Sequence, residues 1–87
     1  MLYEKLDYVL AIAEEQNLTR AAKKLYISQP TLTMYLNRLE ENLGVKLFDR
    51  RKTPITITPA GRRYIEKMTE ISEEEQILRG ELKSVQN

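Results

Sequence analysis

The chain of 87 residues contains no histidine, no cysteine and no tryptophan. These absences remove the commonest zinc ligands, any disulfide framework, and the Ser/His and Cys/His pairs that activate a nucleophile. A chain of this length also buries only about 60% of the surface that its unfolded form exposes, which is too little for a deep, walled substrate cavity. The sequence therefore argues against an enzyme and predicts one small domain with no metal and no cofactor.

Long apolar runs are also missing. No stretch approaches the roughly 20 apolar residues that a membrane-spanning helix requires. The first five residues lack the basic and then apolar pattern of a signal peptide. We therefore expect a cytoplasmic protein that has no membrane partner.

The charges that are present are unevenly distributed, although the formal net charge is only +1. Residues 1–45 carry five basic and six acidic side chains, residues 46–67 carry seven and two, and residues 68–87 carry two and five. The middle segment has a net charge of +5. Such a local basic excess favours binding to a phosphate backbone, because each phosphate that is neutralised releases condensed counterions. On charge alone, a nucleic-acid surface and an ordinary solvated basic surface stay equally open.

Apolar spacings of three and four residues predict helices in the first half of the chain. A first helix is expected over residues 3–15. Thr19 is predicted to cap a short second helix over residues 20–25, because a threonine hydroxyl accepts a free backbone N–H at a helix start. Ser28 is predicted to cap a third helix over residues 29–43.

The third helix has a leucine stripe on one side and polar residues on the other. Pro30 fits its first turn, where a missing N–H costs nothing, and Gly44 supplies the left-handed residue that ends a helix. Successive residues lie 100° apart around a helix, so the opposite face points to solvent. That outward face contains Pro30, Met34, Asn37, Arg38 and Glu41, with Thr31 and Thr33 on its shoulders.

Two short β-prone stretches, residues 45–49 and 55–58, flank a basic segment over residues 50–54. This order predicts a hairpin with a basic tip. Thr58 is then a predicted cap, and Pro59 stands at the first position of a last helix.

The last helix carries apolar residues at alternating spacings of four and three, which predicts a heptad seam. We expect this seam to pair two chains into a homodimer. The alternative is a helix that folds back onto its own domain, as Tyr64 and Ile65 are expected to do near the helix start. The residues predicted to form the dimer contact are Met68, Ile71, Leu78, Leu82 and Val85, with Glu75 at the skipped seam position.

The fold class that this order predicts is mainly α: a winged helix-turn-helix of three helices and a two-stranded wing, followed by a long linker helix. Several motifs then carry a specific resemblance. They are YVL at 8–10, EE at 14–15, LTRAAKKL at 18–25, SQPTLT at 28–33, LEENLG at 39–44, LFDR at 47–50 and TPAG at 58–61. With these motifs in this order, the chain resembles the DNA-binding domain of the LysR-type transcriptional regulators.

The resemblance implies a bacterial homodimer that binds an inverted-repeat operator in double-stranded DNA. It implies a DNA-binding domain over residues 1–58 and a dimerising linker helix over residues 59–87. Full-length members continue into an effector domain that binds a small-molecule inducer. We therefore expect this chain to be the DNA-binding part of a longer regulator, without that effector domain.

The resemblance also assigns candidate DNA contacts. Met34 and Thr53 stand at positions where family members commonly have arginine. Met34 is expected to touch a thymine methyl instead, and Arg51 or Lys52 to reach the minor groove. The candidates for base reading are Gln29, Pro30, Thr31, Thr33, Met34 and Arg38. The candidates for backbone and wing contacts are Thr19, Arg20, Ser28, Arg50, Arg51, Lys52 and Thr53.

Each candidate has a plainer explanation. Thr19 and Ser28 are helix caps first and possible phosphate ligands second. Gln29 and Thr31 can lie at the start of a helix without any binding role. For the whole chain, the alternative function is a protein-interaction module in which the basic tip is incidental, because a fold alone does not fix a function.

Overall fold

The computed structural model describes residues 5–86. Four helices and one small antiparallel sheet follow one another in the order that the sequence predicts, so the winged helix-turn-helix architecture is confirmed. Residues 3 and 4 of the predicted first helix lie outside the described part of the chain, and the helix begins at Leu6, one residue after Lys5. The elements are α1 (Leu6–Glu15), α2 (Leu18–Lys24), α3 (Gln29–Leu43), β1 (Phe48–Asp49), β2 (Thr56–Ile57) and α4 (Pro59–Val85).

Two of the three predicted helix caps are confirmed. The Ser28 hydroxyl accepts the Thr31 backbone N–H at 3.2 Å, and the Thr58 hydroxyl accepts the Gly61 N–H at 3.0 Å. Gly44 ends α3 with a φ of 74°, in the left-handed region that glycine adopts without strain. Each cap satisfies a backbone group that has no partner within the helix.

The predicted cap of α2 is wrong. Asn17 rather than Thr19 caps this helix, because the Asn17 Oδ1 accepts the backbone N–H of Arg20 at 2.9 Å. The chain turns sharply at Gln16, whose φ is 53°, and this turn places Asn17 in the extended conformation of a cap. Thr19 consequently lies inside the first turn of α2 and is exposed.

The core lies where the first three helices meet the start of the wing. Its fully buried side chains come from α1, from α3 and from the residue before β1. Ala21 and Ala22 are also buried, and their small side chains let α2 lie close to α1 and α3. The largest fully buried side chains are Val9, Ile12, Leu32, Leu36 and Leu47.

The wing strands are shorter than the predicted stretches 45–49 and 55–58. Phe48 pairs with Ile57 and Asp49 with Thr56, in antiparallel register. One further backbone bond continues the pairing at the base of the wing, where the Thr58 N–H donates to the Leu47 carbonyl oxygen at 3.0 Å, and other neighbouring N–H groups have partners outside the sheet. The N–H groups of Leu47 and Phe48 donate to a side chain of α3, and the N–H of Ile55 donates to the carbonyl oxygen at the end of α1.

The 27 residues of α4 make it about 40 Å long, so it reaches well beyond the three-helix body. Only its first turns are packed, through buried Gly61 and Tyr64 and through half-buried Ile65 and Met68. From residue 76 to residue 86 every side chain is exposed. The predicted fold-back of Tyr64 and Ile65 is thus confirmed.

Candidate nucleic-acid interface

The outward face of α3 is the one that the leucine stripe predicts. Pro30, Met34, Asn37, Arg38 and Glu41 are all exposed, and Met34 retains 51% of its accessible surface. They line one open groove together with half-buried Gln29 and Thr33. The helix therefore presents a mixed polar and apolar surface from its first turn to its last.

Two predicted base readers at the start of α3 are bonded to each other. The Gln29 side-chain amide donates to the Thr33 hydroxyl at 2.6 Å, one helical turn along. This bond uses one amide N–H and leaves the amide oxygen and the second N–H of Gln29 for a partner. The bond therefore orients the glutamine without consuming its capacity to recognise a base.

The hydroxyls at the very start of α3 are engaged in capping. Ser28 and Thr31 share a hydrogen bond of 2.7 Å between their hydroxyl oxygens, in addition to the backbone cap. Thr31 is exposed, so one lone pair of its hydroxyl stays accessible. The capping explanation thus holds for Ser28, and any contact with a partner would be a second role.

Arginines on α2 and α3 are available for anions. Arg20 and Arg38 are both exposed, and neither has an ion-pair partner among residues 5–86. Lys24, by contrast, is bonded to Glu14 and lies 3.8 Å from Glu15, and the Glu14 hydrogen bond raises the pKa of Lys24. Arg20 is therefore available to bind a phosphate, whereas Lys24 would first have to break its ion pair with Glu14.

Tyr26 lies in the turn between α2 and α3 and was not singled out from the sequence. Its φ of 59° is in the left-handed region, and 95% of its surface is exposed. A bulky residue rarely adopts this conformation, and its side chain here projects into solvent. The phenol is therefore available beside the start of α3.

The wing tip has one cation that is paired locally and one that is not. The Arg51 Nε and Nη2 atoms donate to the two Asp49 carboxylate oxygens at 3.0 and 2.9 Å. This pairing lowers the pKa of Asp49 to about 2 and raises the pKa of Arg51. Lys52 is exposed with no ion pair among the described residues, and Thr53 beside it is also exposed.

Arg50 differs from its neighbours because it points inward. Its guanidinium donates to the carboxylate of Glu40, which is buried with only 3% of its surface exposed. Glu40 is not among the residues predicted from the sequence, although its spacing carries a signal. Glu40 follows Leu36 by four residues and therefore lies on the leucine side of α3, where an unpaired carboxylate would be costly.

The predicted dimer seam on α4 is exposed except at its first position. Met68 packs partly against the chain's own core. The later seam residues are open to solvent: Ile71 (40%), Leu78 (51%), Leu82 (56%) and Val85 (77%). Ile77, outside the predicted seam, is 62% exposed.

Comparisons with known proteins agree with this geometry. The family model described as the bacterial regulatory helix-turn-helix protein, lysR family, matches residues 3–62. The regulator BsdA of Bacillus subtilis is 46% identical over 68 residues, which are 77% of this chain and 23% of BsdA. The regulator TfdS of Cupriavidus pinatubonensis is 44% identical over 66 residues, 76% of this chain and 22% of TfdS. The chain therefore spans less than a quarter of the length of these relatives.

Solved structures match nearly the whole chain. The crystal structure of the CbnR DNA-binding domain in complex with DNA superposes with a TM-score of 0.87 at 33% identity and covers 100% of both chains. The BenM DNA-binding domain bound to benA site 1 DNA superposes with a TM-score of 0.83 at 33% identity, covering 98% of this chain and 96% of that one. No helix among residues 5–86 combines the length and apolar composition that crossing a membrane demands. The matched segment and the shared fold together establish that this chain belongs to the lysR family of bacterial regulatory helix-turn-helix proteins.

Proposed function

We propose that this chain binds double-stranded DNA sequence-specifically, as the DNA-binding part of a homodimeric transcriptional regulator in the bacterial cytoplasm. The observation that carries the proposal is the exposed face of α3, whose side chains suit base edges. An α-helix about 10–12 Å across fits a major groove about 12 Å wide. Relatives with the same fold have been crystallised on DNA, which supports the same use of α3 here. The proposed activity is binding, without a catalysed reaction.

The first turns of α3 supply the proposed base contacts. The free oxygen and N–H of Gln29 match the paired donor and acceptor of adenine in the major groove. Thr33 offers a hydroxyl, and exposed Met34 offers an apolar contact for a thymine methyl group. Arg38, one turn beyond Met34, suits guanine or a phosphate. Pro30 and Thr31 complete the surface that we propose to meet base edges.

Cations around α3 supply the proposed backbone contacts. Arg20 and Lys52 are free to neutralise phosphates, since neither has an ion pair among residues 5–86. The Arg51 guanidinium must break its hydrogen bonds with Asp49 before it can bind a phosphate. Thr19, Ser28 and Thr53 are smaller contributors, each with a hydroxyl that can donate to a phosphate.

The linker helix, which we assign to residues 59–87, supplies the proposed dimer contact. The exposed seam from Ile71 to Val85 buries its apolar surface when a second copy of the chain pairs with it. We assign residues 1–58 to the DNA-binding domain that this pair carries. Two such domains related by a two-fold axis would read half-sites about 34–36 Å apart, or a small multiple of that distance, in an inverted repeat.

Salt dependence separates this function from a protein-interaction module. We would titrate a fluorescent mixed-sequence duplex with the purified chain at several salt concentrations and measure anisotropy. DNA binding predicts a linear fall of log affinity with log salt, with a slope of about −0.9 for each phosphate contacted. Binding that is absent at low salt would overturn the proposal and favour the interaction module.

A pair of lysine variants makes this titration specific to the wing. Lys52→Ala should make the slope shallower by about 0.9 per chain, because one phosphate contact is lost. Lys83→Ala removes the same charge from the far end of α4 and should leave the slope unchanged. An equal effect of the two variants would mean that long-range charge, rather than a wing contact, attracts the DNA.

A further inference from the structure

Glu40 is the one charged residue within 5–86 that is buried, and the partners of its carboxylate all lie within residues 46–50, in the first strand of the wing and the residues on either side of it. Its Oε2 accepts the backbone N–H groups of Leu47 and Phe48 at 2.7 and 3.2 Å. Its Oε1 accepts from the Arg50 guanidinium and lies 3.9 Å from the Lys46 Nζ. A single α3 carboxylate thus holds the incoming side of the wing.

The outgoing side of the wing is held by a different helix. Gln16, the residue that ends α1, makes two hydrogen bonds with Ile55. The Ile55 N–H donates to the Gln16 carbonyl oxygen at 3.1 Å, and the Gln16 side-chain amide donates to the Ile55 carbonyl oxygen at 3.2 Å. The basic tip over residues 50–54 is therefore tethered at both ends to the helical body.

These tethers matter because the wing has little structure of its own. Each strand contains two residues, and an isolated two-stranded hairpin is at best marginally stable in water. Burying a carboxylate costs folding free energy unless it is paired, and an apolar residue of similar size at the same position often gives equal stability. What an apolar residue cannot do is accept directed bonds from two backbone N–H groups and a guanidinium.

We propose that Glu40 is a positioning residue that fixes the wing relative to the recognition helix α3. This inference rests on the proposed DNA binding. With α3 in a major groove, the clamp holds Lys52 and Arg51 where the neighbouring DNA backbone passes. Arg50 acts as the counterion of Glu40 rather than as a DNA ligand. A wing without the clamp would have to be ordered upon binding, and that ordering costs affinity.

The position of the wing can be measured without DNA. The chain has no cysteine, so nitroxide labels at Asn42→Cys on α3 and Lys52→Cys on the wing are free of background. Pulsed electron spin resonance should give a narrow distance distribution in the parent and a broad one in Glu40→Gln. Glu41→Gln is the matched control, since it removes the same charge from the adjacent, exposed residue. Equally narrow distributions in all three would overturn the proposal.

Arg50→Gln gives a second route to the same answer if Glu40→Gln does not fold. This variant keeps both backbone N–H bonds to Glu40 and removes only the guanidinium. It should also broaden the distance distribution, to a smaller extent. A folded Arg50→Gln chain with an unchanged distribution would show that the ion pair does not position the wing.

A double-mutant cycle on DNA then assigns the role of Arg50. Glu40→Gln should weaken binding to a mixed-sequence duplex by about tenfold and Arg50→Gln by less, and the double variant should be no weaker than Glu40→Gln alone. Losses that multiply in the double variant would mean that Arg50 contacts DNA directly and would overturn its assignment as a counterion. Circular dichroism at the assay temperature confirms that each variant is folded.

The two hypotheses fail in different ways. A parent chain that binds no DNA at low salt removes the proposed function, while the spin-label distances still decide whether Glu40 holds the wing. A parent chain that binds DNA, with an affinity that Glu40→Gln leaves unchanged, retains the proposed function and removes the positioning role.

Discussion

Individual polar side chains on the candidate interface fall into those with a partner in the chain and those without one. Arg50 and Arg51 are held by Glu40 and Asp49, whereas Arg38 and Lys52 have no ion pair among residues 5–86. Gln29 belongs to both groups. One N–H of its side-chain amide donates to the Thr33 hydroxyl, while the amide oxygen is left for another partner. The unpaired groups can approach DNA without breaking an existing bond, so we expect them to dominate its recognition.

Gln29 is the clearest test of base reading. On a duplex selected by the parent chain, Gln29→Ala should weaken binding by about 1–3 kcal/mol, because a bidentate contact to one base is lost. On a shuffled duplex its affinity should be nearly unchanged, since base-independent binding comes from phosphate contacts. Gln76→Ala, on the exposed distal part of α4, is the control for both duplexes. Equal losses of Gln29→Ala on both would contradict base reading.

The Asp49–Arg51 pair predicts a pH effect confined to acid. The pKa of Asp49 is lowered from 3.8 to about 2, first by the Arg51 side-chain hydrogen bonds. The pair therefore stabilises the folded chain above about pH 4 and loses that contribution as the pH falls through 2. A carboxyl-carbon NMR titration should place the Asp49 midpoint near 2, and Arg51→Gln should return it toward 3.8.

Arg63→Gln is the control for this titration, because Arg63 pairs with Glu66 on α4 and not with Asp49. It should leave the Asp49 midpoint near 2. A midpoint near 3.8 in the parent chain would mean that Asp49 and Arg51 are not paired in solution.

The outcome at single residues shows what spacing and residue type can predict. Ser28, Gly44 and Thr58 were predicted because each precedes or follows an apolar stripe at a position where only a few residue types fit. Asn17 was missed in favour of Thr19 because both are good caps, and only the turn at Gln16 decides between them. Glu40 was missed because its partners, from residues 46–50, are brought to it by tertiary structure.

Elements are joined by close backbone contacts that glycine permits. At the start of α4, the Thr58 hydroxyl donates to the Lys46 carbonyl oxygen at 2.6 Å while it caps the helix. One turn along, a Cβ atom built on Gly61 would lie 2.1 Å from the Leu47 carbonyl oxygen and 2.8 Å from the Ile57 Cγ1. The TPAG motif therefore docks α4 directly against both sides of the wing base.

This docking predicts opposite effects for two glycine-to-alanine changes in α4. Gly61→Ala should lower the free energy of unfolding by about 1–3 kcal/mol, because the backbone of Leu47 must move. Gly80→Ala has nothing within 4 Å of the added methyl group and should raise that free energy by about 1 kcal/mol, the helix preference of alanine over glycine. Urea unfolding followed by circular dichroism measures both. A neutral Gly61→Ala variant would contradict the close contact.

Element prediction succeeded best where periodicity is local. The α3 bounds follow from a leucine stripe with a cap at each end, and α4 follows from its cap and heptads. The observed strands are shorter than the β-prone stretches 45–49 and 55–58, because the Leu47 N–H, which faces Thr58 across the wing, donates to the Glu40 carboxylate instead. Local propensity cannot anticipate such competition.

The whole molecule is elongated, with extents of 52 × 27 × 20 Å, because α4 projects from the helical body. Four large apolar side chains of the predicted seam are exposed along this helix: Ile71, Leu78, Leu82 and Val85. A second copy paired along the seam would relate two α3 helices by one two-fold axis. The spacing of half-sites in DNA would then reflect the geometry of this pair.

Charged substitutions in the seam test the dimer. Leu78→Lys with Leu82→Lys places four lysines in the paired interface and should give a monomer in sedimentation velocity, whereas the parent chain should be a dimer. Gln76→Lys with Ser84→Lys adds lysines on the outer side of the same helix and should remain dimeric. A dimer that survives the seam change would mean that α4 does not form the interface.

The most direct test of the proposed function is selection of bound duplexes from a random DNA library by the purified chain. We predict enrichment of an inverted repeat whose half-sites lie about one helical turn, or a small multiple of it, apart. The selected duplex should bind more tightly than its shuffled counterpart, and affinity for both should fall steeply with salt. Binding without enrichment of any sequence would contradict base reading by α3, and the absence of binding at low salt would contradict DNA binding itself.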